Sequence, residues 1–425
     1  MTLGFKIASR AALFGCCSLA AMASAAHAAD APQAETRLDE VVVTAQRSTQ
    51  NLQSVPVAVT ALDQASLEKH SIADVGDLQF NVPNFQIRDE SAVGGLTIGI
   101  RGISVSADNF AFDSAVGVYV NDVFIARAND FGATFYDVHS VQVLRGPQGT
   151  FFGRNTPAGA VLIESNGPGS TYGGYVSANL GGGGHGLGDG ADRTVYRIDG
   201  AVDLPLTPVL GVRVAGFYMN DNGWGRSLFN GHRFYSAKDG ALRATVEFRP
   251  TDRFDARLVV DHSEVNHGGP LFKELAFNPP AQQAYDQLHG GTAEQNQITA
   301  SLANHDPYTN TSAITQGLTG KESAASLRMT YKIGDSWSLR SISGWRRLHR
   351  DQLNDNLGVP LAADFYTSAA LRQQQLSQEV VLGATSPSSC IWSAACSTSR
   401  KPDPTRTSSA PTLRLRTPRS PSSIR

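Results

Sequence analysis

The chain has 425 residues, 41 of them glycine, with a net charge of −2 and 17% charged residues. That length allows two or three ordinary domains or one large barrel, while the near-neutral charge leaves no basic footprint for nucleic acid and the glycine content argues against a helical bundle. After the N-terminus no apolar run reaches the roughly 18 residues of a membrane helix, so the sparing use of charge fits a secreted β protein or a membrane β-barrel.

In chain order, Lys6 and Arg10 precede the short apolar run 11–22 and Ala26-His27-Ala28, which together make a cleavable secretory signal peptide over residues 1–28. Cysteine usage agrees with export. Cys16 and Cys17 lie in the leader, Cys390 and Cys396 lie near the C-terminus, and no thiol falls between them, so extensive backbone pairing rather than a disulfide framework must stabilise the fold. Residues 29–53 form a polar extension around "LDEVVVTAQR", residues 38–47. Its three adjacent valines read either as a first strand or as a strand donated to the edge of another protein's sheet.

Residues 54–168 mix short helices and strands, as in a small α+β domain. The pattern predicts a strand over 55–60, a helix from Asp63 to about His70, and a second helix over 72–80 stopped by Pro83. Strands follow around Gln86 and over 96–103, 116–124 and 138–144, with a polar loop at 104–114. The domain ends on "LRGPQGTFFGRNTPAGAV", residues 144–161, whose glycines look at first like a phosphate cradle. A P-loop needs Gly-Lys and then Ser or Thr, but Gly153 precedes Arg154 and Asn155, and the glycine spacing also misses the dinucleotide fingerprint. A double turn fits better. Pro147 presets the turn 146–149, Phe151 and Phe152 pack, and the segment from Gly153 to Gly159 turns the chain back into a strand over 160–163. Arg145 and Arg154 then need partners, because a charge held against a protein wall is costly unless paired.

After residue 169 the texture becomes that of repeated antiparallel strands. In "ALRATVEFRP" Leu242, Ala244, Val246 and Phe248 alternate with Arg243, Thr245, Glu247 and Arg249, and the same period recurs over 196–204, 212–218, 253–261, 327–333, 337–345 and 376–382. Short turns at 207–211, 250–252 and 334–336 alternate with long connections, notably 263–322, as in a transmembrane β-barrel. A soluble periplasmic β binding protein shares the alternation and stays open on this pattern alone. Residues 386–425 depart from it, with eleven Ser, six Pro and no Gly, and read as a disordered basic tail or an out-of-frame translation.

The segments "DEVVVTAQR", "VPVAVTALD", "IGIRGI", "VGVYVNDVFIAR" and "VQVLRGPQGTFFGRNTPAGAV", in this order, resemble the TonB-dependent outer-membrane receptors over residues 1 to about 385. The family usually closes the last segment with Gly-Gly where this chain has Ala158-Gly159. The resemblance implies a plug domain over 54–168 followed by antiparallel transmembrane β-barrel strands over 169–385. That barrel is incomplete, with about eight or nine of an expected 22 strands. It further implies energised uptake of a scarce ligand through the outer membrane, with TonB and its inner-membrane complex as partner and outer-membrane lipid as surroundings. A ferric siderophore is the expected ligand, with vitamin B12, a carbohydrate or an aromatic compound as alternatives.

Residue by residue, Asp39, Glu40, Val41, Val42, Val43, Thr44 and Ala45 match the TonB box. Arg101 and Arg145 match plug arginines that lock against barrel glutamates, with Glu379 as the expected partner and Glu247 as a second choice. Gly146, Pro147, Gly149, Gly153, Arg154, Asn155 and Gly159 match the plug turn. Ser104, Asp108, Asn109, Asp113 and Arg127 are expected ligand contacts on the apex loops 104–113 and 127–131. No cofactor is expected, and His262 and His267, without a carboxylate cluster, are not expected to hold a metal. Neither G-x-S-x-G nor H-E-x-x-H occurs, so an enzyme is not expected. Eight strands close around side chains alone and an open sheet exposes backbone to lipid, so this chain is expected to be a non-transporting fragment, truncated or frameshifted near residue 386.

Overall fold

The computed structural model describes residues 42–43, 50–51, 57–72, 74–89, 96–105, 113–126, 135–153, 155–183, 193–273, 301–355, 358, 366–385 and 391–400, with the backbone alone at 42–43, 50–51, 89, 366–369, 384–385 and 391–400. The signal peptide and Asp39, Glu40, Val41, Thr44, Ala45, Asp108, Asn109, Arg127 and Arg154 lie outside the described residues. Val42–Val43 is a two-residue strand.

The plug begins with β1 (Ala58–Asp63) and α1 (Gln64–Lys69), which Asp63 caps by accepting from the Ser66 amide at 2.8 Å. The second helix, expected over 72–80, is confined to α2 (Leu78–Asn81). Asp74 and Asp77 each take the other's backbone N–H at 3.1 Å, and such local side-chain bonds compete with helix. A small three-stranded sheet follows, from Phe85–Asp89, Leu96–Ile100 and Ile103–Ser104. The single strand expected over 116–124 is a hairpin of β2 (Val116–Val120) and β3 (Val123–Ile125). Asn121 and Asp122 between them have φ of 48° and 67°, the consecutive left-handed pair that a two-residue hairpin turn requires. The plug closes with β4 (Val138–Arg145), α3 (Gly149–Phe152) and β5 (Gly159–Ser165).

These five strands form one sheet in the order β1-β4-β5-β2-β3. One face carries the main core, including Val116, Val118, Val141, Val143 and Val161, with Leu78, Ile98 and Ile100 packed on it. Tyr119, Leu144, Phe152 and Ala160 cluster on the other. Phe151, expected to pack beside Phe152, is instead 37% exposed, because the single turn of α3 can turn only one of two adjacent side chains inward.

The nine-stranded second sheet runs in sequence order as β6 (Gly173–Gly183), β7 (Arg193–Thr207), β8 (Leu210–Asp221), β9 (Ala237–Thr251), β10 (Phe254–His267), β11 (Gly317–Ile333), β12 (Trp337–Asp355), β13 (Tyr366–Thr385) and β14 (Ile391–Arg400). Every neighbour is antiparallel, and among the described residues the edge strands β6 and β14 do not pair with each other. The last strand lies inside the segment expected to break the pattern. Residues 391–400 contain neither Pro nor Gly, and nothing in them forbids pairing with β13. Tight turns after β7, β9 and β11 lie at one end of the sheet and the long connections at the other, as the alternating spacing predicts.

Alternation gives this sheet two unlike faces. Leu242, Phe248, Leu258, Val260, Tyr331, Trp337, Leu339, Trp345, Leu376, Val380 and Leu382 are all at least one-third exposed on the outer face, Leu376 as much as 60%. Such a row of exposed apolar side chains across neighbouring strands matches the outward-facing band of a β-barrel. The intervening residues Arg213, Arg243, Thr245, Ser263, Glu322 and Gln375 are buried on the concave face, where the plug sits.

Candidate functional site

The surface between the plug and the concave face of the sheet is built on charge. Asp137 terminates the approach to β4 in a left-handed conformation, φ 49°, which turns its carboxylate out of the plug. Arg213 of β8 forks onto it, Nη2 to Oδ1 at 2.7 Å and Nε to Oδ2 at 2.9 Å, and its Nη1 reaches Asp203 on the neighbouring β7 at 2.8 Å. Asn166 adds a donor to Asp137 at 3.0 Å. Burial by itself would raise the Asp137 pKa, but the bonds from Arg213 and Asn166 outweigh it and hold the carboxyl below its ordinary value.

Along the same face, fully buried Arg243 of β9 donates Nη1 to the Tyr136 carbonyl at 2.7 Å and Nε to Asp261 at 2.6 Å, with its guanidinium 4.3 Å from the centre of the Tyr136 ring. Two more arginines, Arg257 of β10 and Arg328 of β11, stand opposite each other in register. Both reach Glu164 of the plug at 3.2 Å, Arg328 also takes Asp122 at 2.8 Å, and Arg257 donates Nη2 to the Ser165 carbonyl. Further round the sheet, Gln375 of β13 uses its amide twice, donating to the Phe124 carbonyl at 2.6 Å and accepting from the Ala126 N–H at 3.2 Å. The plug thus presents carboxylates and backbone carbonyls, and the sheet presents guanidiniums.

The expected lock residues fall differently. Among the described residues Arg101 and Arg145 make no ion pair. Arg145 contacts the Pro83 carbonyl at a long 3.5 Å and its buried Nε has no bond, while Arg101 sits in a left-handed conformation, φ 55°, beside Gly146. Glu379 lies two places from Ser377 and four from Gln375, so it shares their plug-facing side of β13, and it lies in the cross-strand row that runs through Glu247, Arg257, Arg328 and Ile342. Glu247 pairs with Arg249 at 2.6 Å and Arg257 at 3.4 Å, and a methyl at Gly167 would stand 2.6 Å from its carboxylate, so the end of the plug passes directly over it.

In the turn motif, Gly146 and Gly153 take φ of 111° and 80° and Asn155 takes 62°, and the excursion is tied across its base by Gly146 N to Ala158 O at 2.9 Å and Gln148 N to Thr156 O at 3.0 Å. Of the expected ligand contacts, Ser104 is exposed at the end of the strand Ile103–Ser104 and Asp113 is half-buried. The lock acids Asp122, Asp137 and Glu164 carry no spacing motif. The signals for them were the Asn-Asp pair that makes the β2–β3 turn and arginines at alternate strand positions with no acid beside them.

An acid-bearing plug held by side-chain bonds against a curved antiparallel sheet with an apolar exterior is the architecture of a plug domain seated on part of a β-barrel. Residues 51–160 match the family model described as TonB-dependent Receptor Plug Domain. Among known proteins, the chain is 26% identical over 325 residues to the pesticin receptor of Yersinia pestis, covering 76% of this chain and 43% of that protein. It is 23% identical over 312 residues to the catecholate siderophore receptor Fiu of Escherichia coli, covering 71% and 36%. Its fold superposes on the crystal structure of the ferric yersiniabactin uptake receptor FyuA from Yersinia pestis with a TM-score of 0.63 at 18% identity, covering 81% of this chain and 49% of that one. Residues 51–160 thus match a TonB-dependent receptor plug, and the chain shares the fold of such receptors over the plug and part of the barrel. It spans about half the length of the relatives it matches.

Proposed function

We propose that this chain is the plug-bearing part of an outer-membrane receptor that takes up a ferric siderophore with energy delivered through TonB. The observation that carries the reading is the plug itself, held in the lumen by discrete pairs such as Arg213–Asp137 and Arg328–Asp122 rather than by a continuous apolar core. Polar pairs can be exchanged for water as they are pulled apart, which suits a domain that must stay seated at rest and move under load.

On this reading the apex of the plug, with Ser104, Asp108, Asn109, Asp113 and Arg127, captures the ligand together with the loops at the long-connection end. Capture frees segment 39–45 on the periplasmic side, where it adds as a strand to TonB. Tension on that segment then breaks the plug–barrel pairs, and Arg101, Arg145 and Glu379 belong to the same release surface. No covalent chemistry is part of the cycle. The relatives named for pesticin, catecholate siderophores and ferric yersiniabactin support an iron-chelate ligand. Transport is proposed for the receptor with its barrel closed.

The full chain expressed with its leader is expected in the outer-membrane fraction. Val42→Cys is expected to cross-link to the periplasmic domain of TonB, and more strongly when a ferric siderophore is present. Recovery in the soluble periplasm, or no adduct with any ferric siderophore, overturns the proposal.

A further inference from the structure

Three of the long connections at one end of the sheet are tied to one another. They join β8 to β9 over 222–236, β10 to β11 over 268–316 and β12 to β13 over 356–365. The first two share a small sheet, in which Gly225–Ser227 pairs antiparallel with Arg233–Phe234 and parallel with Thr309–Asn310. Their backbones are joined again by Leu228 N to Asn310 O and by Tyr235 N to Gly269 O, each at 2.8 Å. The third lies against the second, where Thr311 N donates to Gly358 O at 3.2 Å and a methyl at Gly358, φ 72°, would run into the Phe272 carbonyl.

The polar groups at this junction are buried, with Ser227, Asn310, Ser312, Gln316 and Asp355 each no more than 3% exposed. Asp355 is the last residue of β12, so it is rooted in the wall of the sheet. Its carboxylate accepts from the Ser312 hydroxyl of the second connection and from the Gly358 amide of the third at 3.1 Å. Its own amide donates to Gln316 Oε1 at 2.7 Å, and Gln316 Nε2 reaches back to the Pro270 carbonyl. Ser312 carries the bonds onward, since its carbonyl accepts from the Ser227 hydroxyl of the first connection at 2.7 Å. Removing one member leaves a buried partner unmet and loosens those bonded beyond it.

The first connection turns Gly225 and Phe234 into this buried side, and the alternate positions Trp224, Arg226, Arg233 and Tyr235 share the opposite face. Trp224 stacks at 4.2 Å on Tyr235, which is held in a left-handed conformation, φ 55°. Arg226 and Arg233 stand directly opposite each other, with no ion pair among the described residues. Like charges so placed repel, so the face depends on the buried side beneath it.

We propose that Asp355 locks the described parts of these three connections into one cooperative unit, so that the aromatic and arginine-bearing face of the first is ordered or lost together with the other two. Separate loops each open at their own low free energy, whereas a network buried in common opens as one. A ligand then meets a face already in place and does not supply the cost of ordering it. That consequence rests on the receptor reading above; the coupling itself needs no ligand.

Amide hydrogen exchange of the full chain in neutral detergent micelles tests the unit. Asp355→Ala is expected to speed exchange about tenfold in peptides covering 225–236 and 308–316 together, with residues 138–165 of the plug unchanged. Ser312→Ala removes the hydroxyl that meets Asp355 but leaves the carbonyl that meets Ser227, and should give the same pattern at a smaller size. Faster exchange in 308–316 alone, with 225–236 unchanged in both variants, overturns the shared unit, as does no change in either peptide. If Asp355→Ala loses protection in the plug as well, Ser312→Ala decides by the same two peptides. None of these outcomes touches outer-membrane recovery or the cross-link to TonB, by which the receptor reading stands or falls.

Discussion

Arg213 and Asp137 meet in a two-bond fork across the plug–barrel boundary, at 2.7 and 2.9 Å, with side-chain exposures of only 9% and 2%. Removing one partner of a pair this buried leaves an uncompensated charge, at a cost of about 3–5 kcal/mol. Arg213→Ala is therefore expected to unseat the plug, read as faster proteolysis of residues 135–168 in the folded chain. Arg213→Lys keeps the charge but not the fork and should fall between the two. Equal protection in all three proteins would show that the pair does not hold the plug.

The same carboxyl sets a pH dependence whose sign follows from its depressed pKa. With the plug seated, Asp137 titrates below its ordinary value of 3.8, so its contribution is complete above 3.8 and is lost as pH falls through the lower native value. Plug protection is expected to be flat through neutral and mildly acidic pH and to decline only under strong acid. Asp137→Asn removes this share of the decline. A profile unchanged by Asp137→Asn refutes the assignment.

Gly159 opens β5 where its backbone crosses β4. A methyl there would stand 2.2 Å from the Leu144 carbonyl oxygen and 2.7 Å from Ile100 Cδ1. Neither can yield cheaply, since one is ladder backbone and the other is buried core. Gly159→Ala is expected to destabilise the plug by at least about 1–3 kcal/mol, measured by denaturant unfolding of the full chain in micelles. Gly149→Ala, with nothing within 4 Å, serves as the mild control.

What the sequence made legible follows where its signals come from. Period-two alternation found the apolar stretch of every long strand from β7 to β13, but it drew each strand too short. β12, for example, runs to Asp355 rather than 345. Beyond the apolar belt both faces are polar, and a pattern of contrast has nothing left to report. The glycine-rich turn was legible as two reversals because Gly146, Gly153 and Gly159 answer to backbone geometry. The plug–barrel pairs were not, since Arg328 finds Asp122 from 206 positions away and no local spacing encodes such a partner.

The two faces of one strand allow a final prediction. On β10, Leu258 points to the outer belt and is 36% exposed, while its neighbour Arg257 points inward to Glu164. If lipid solvates the outer face, Leu258→Arg places a charge in hydrocarbon at a cost of about 2–4 kcal/mol near the midplane, falling to about 0–1 near the interface. The same change at Thr319, outside the belt on β11, should therefore be nearly neutral. Both positions are exposed in the fold, so packing alone gives no reason for them to differ. Folding yields into phospholipid vesicles separate the cases: a large loss for Leu258→Arg and a small one for Thr319→Arg expresses the depth of the membrane. Equal yields would mean that water, not lipid, covers this belt, and the barrel reading of the nine-stranded sheet would fail with it.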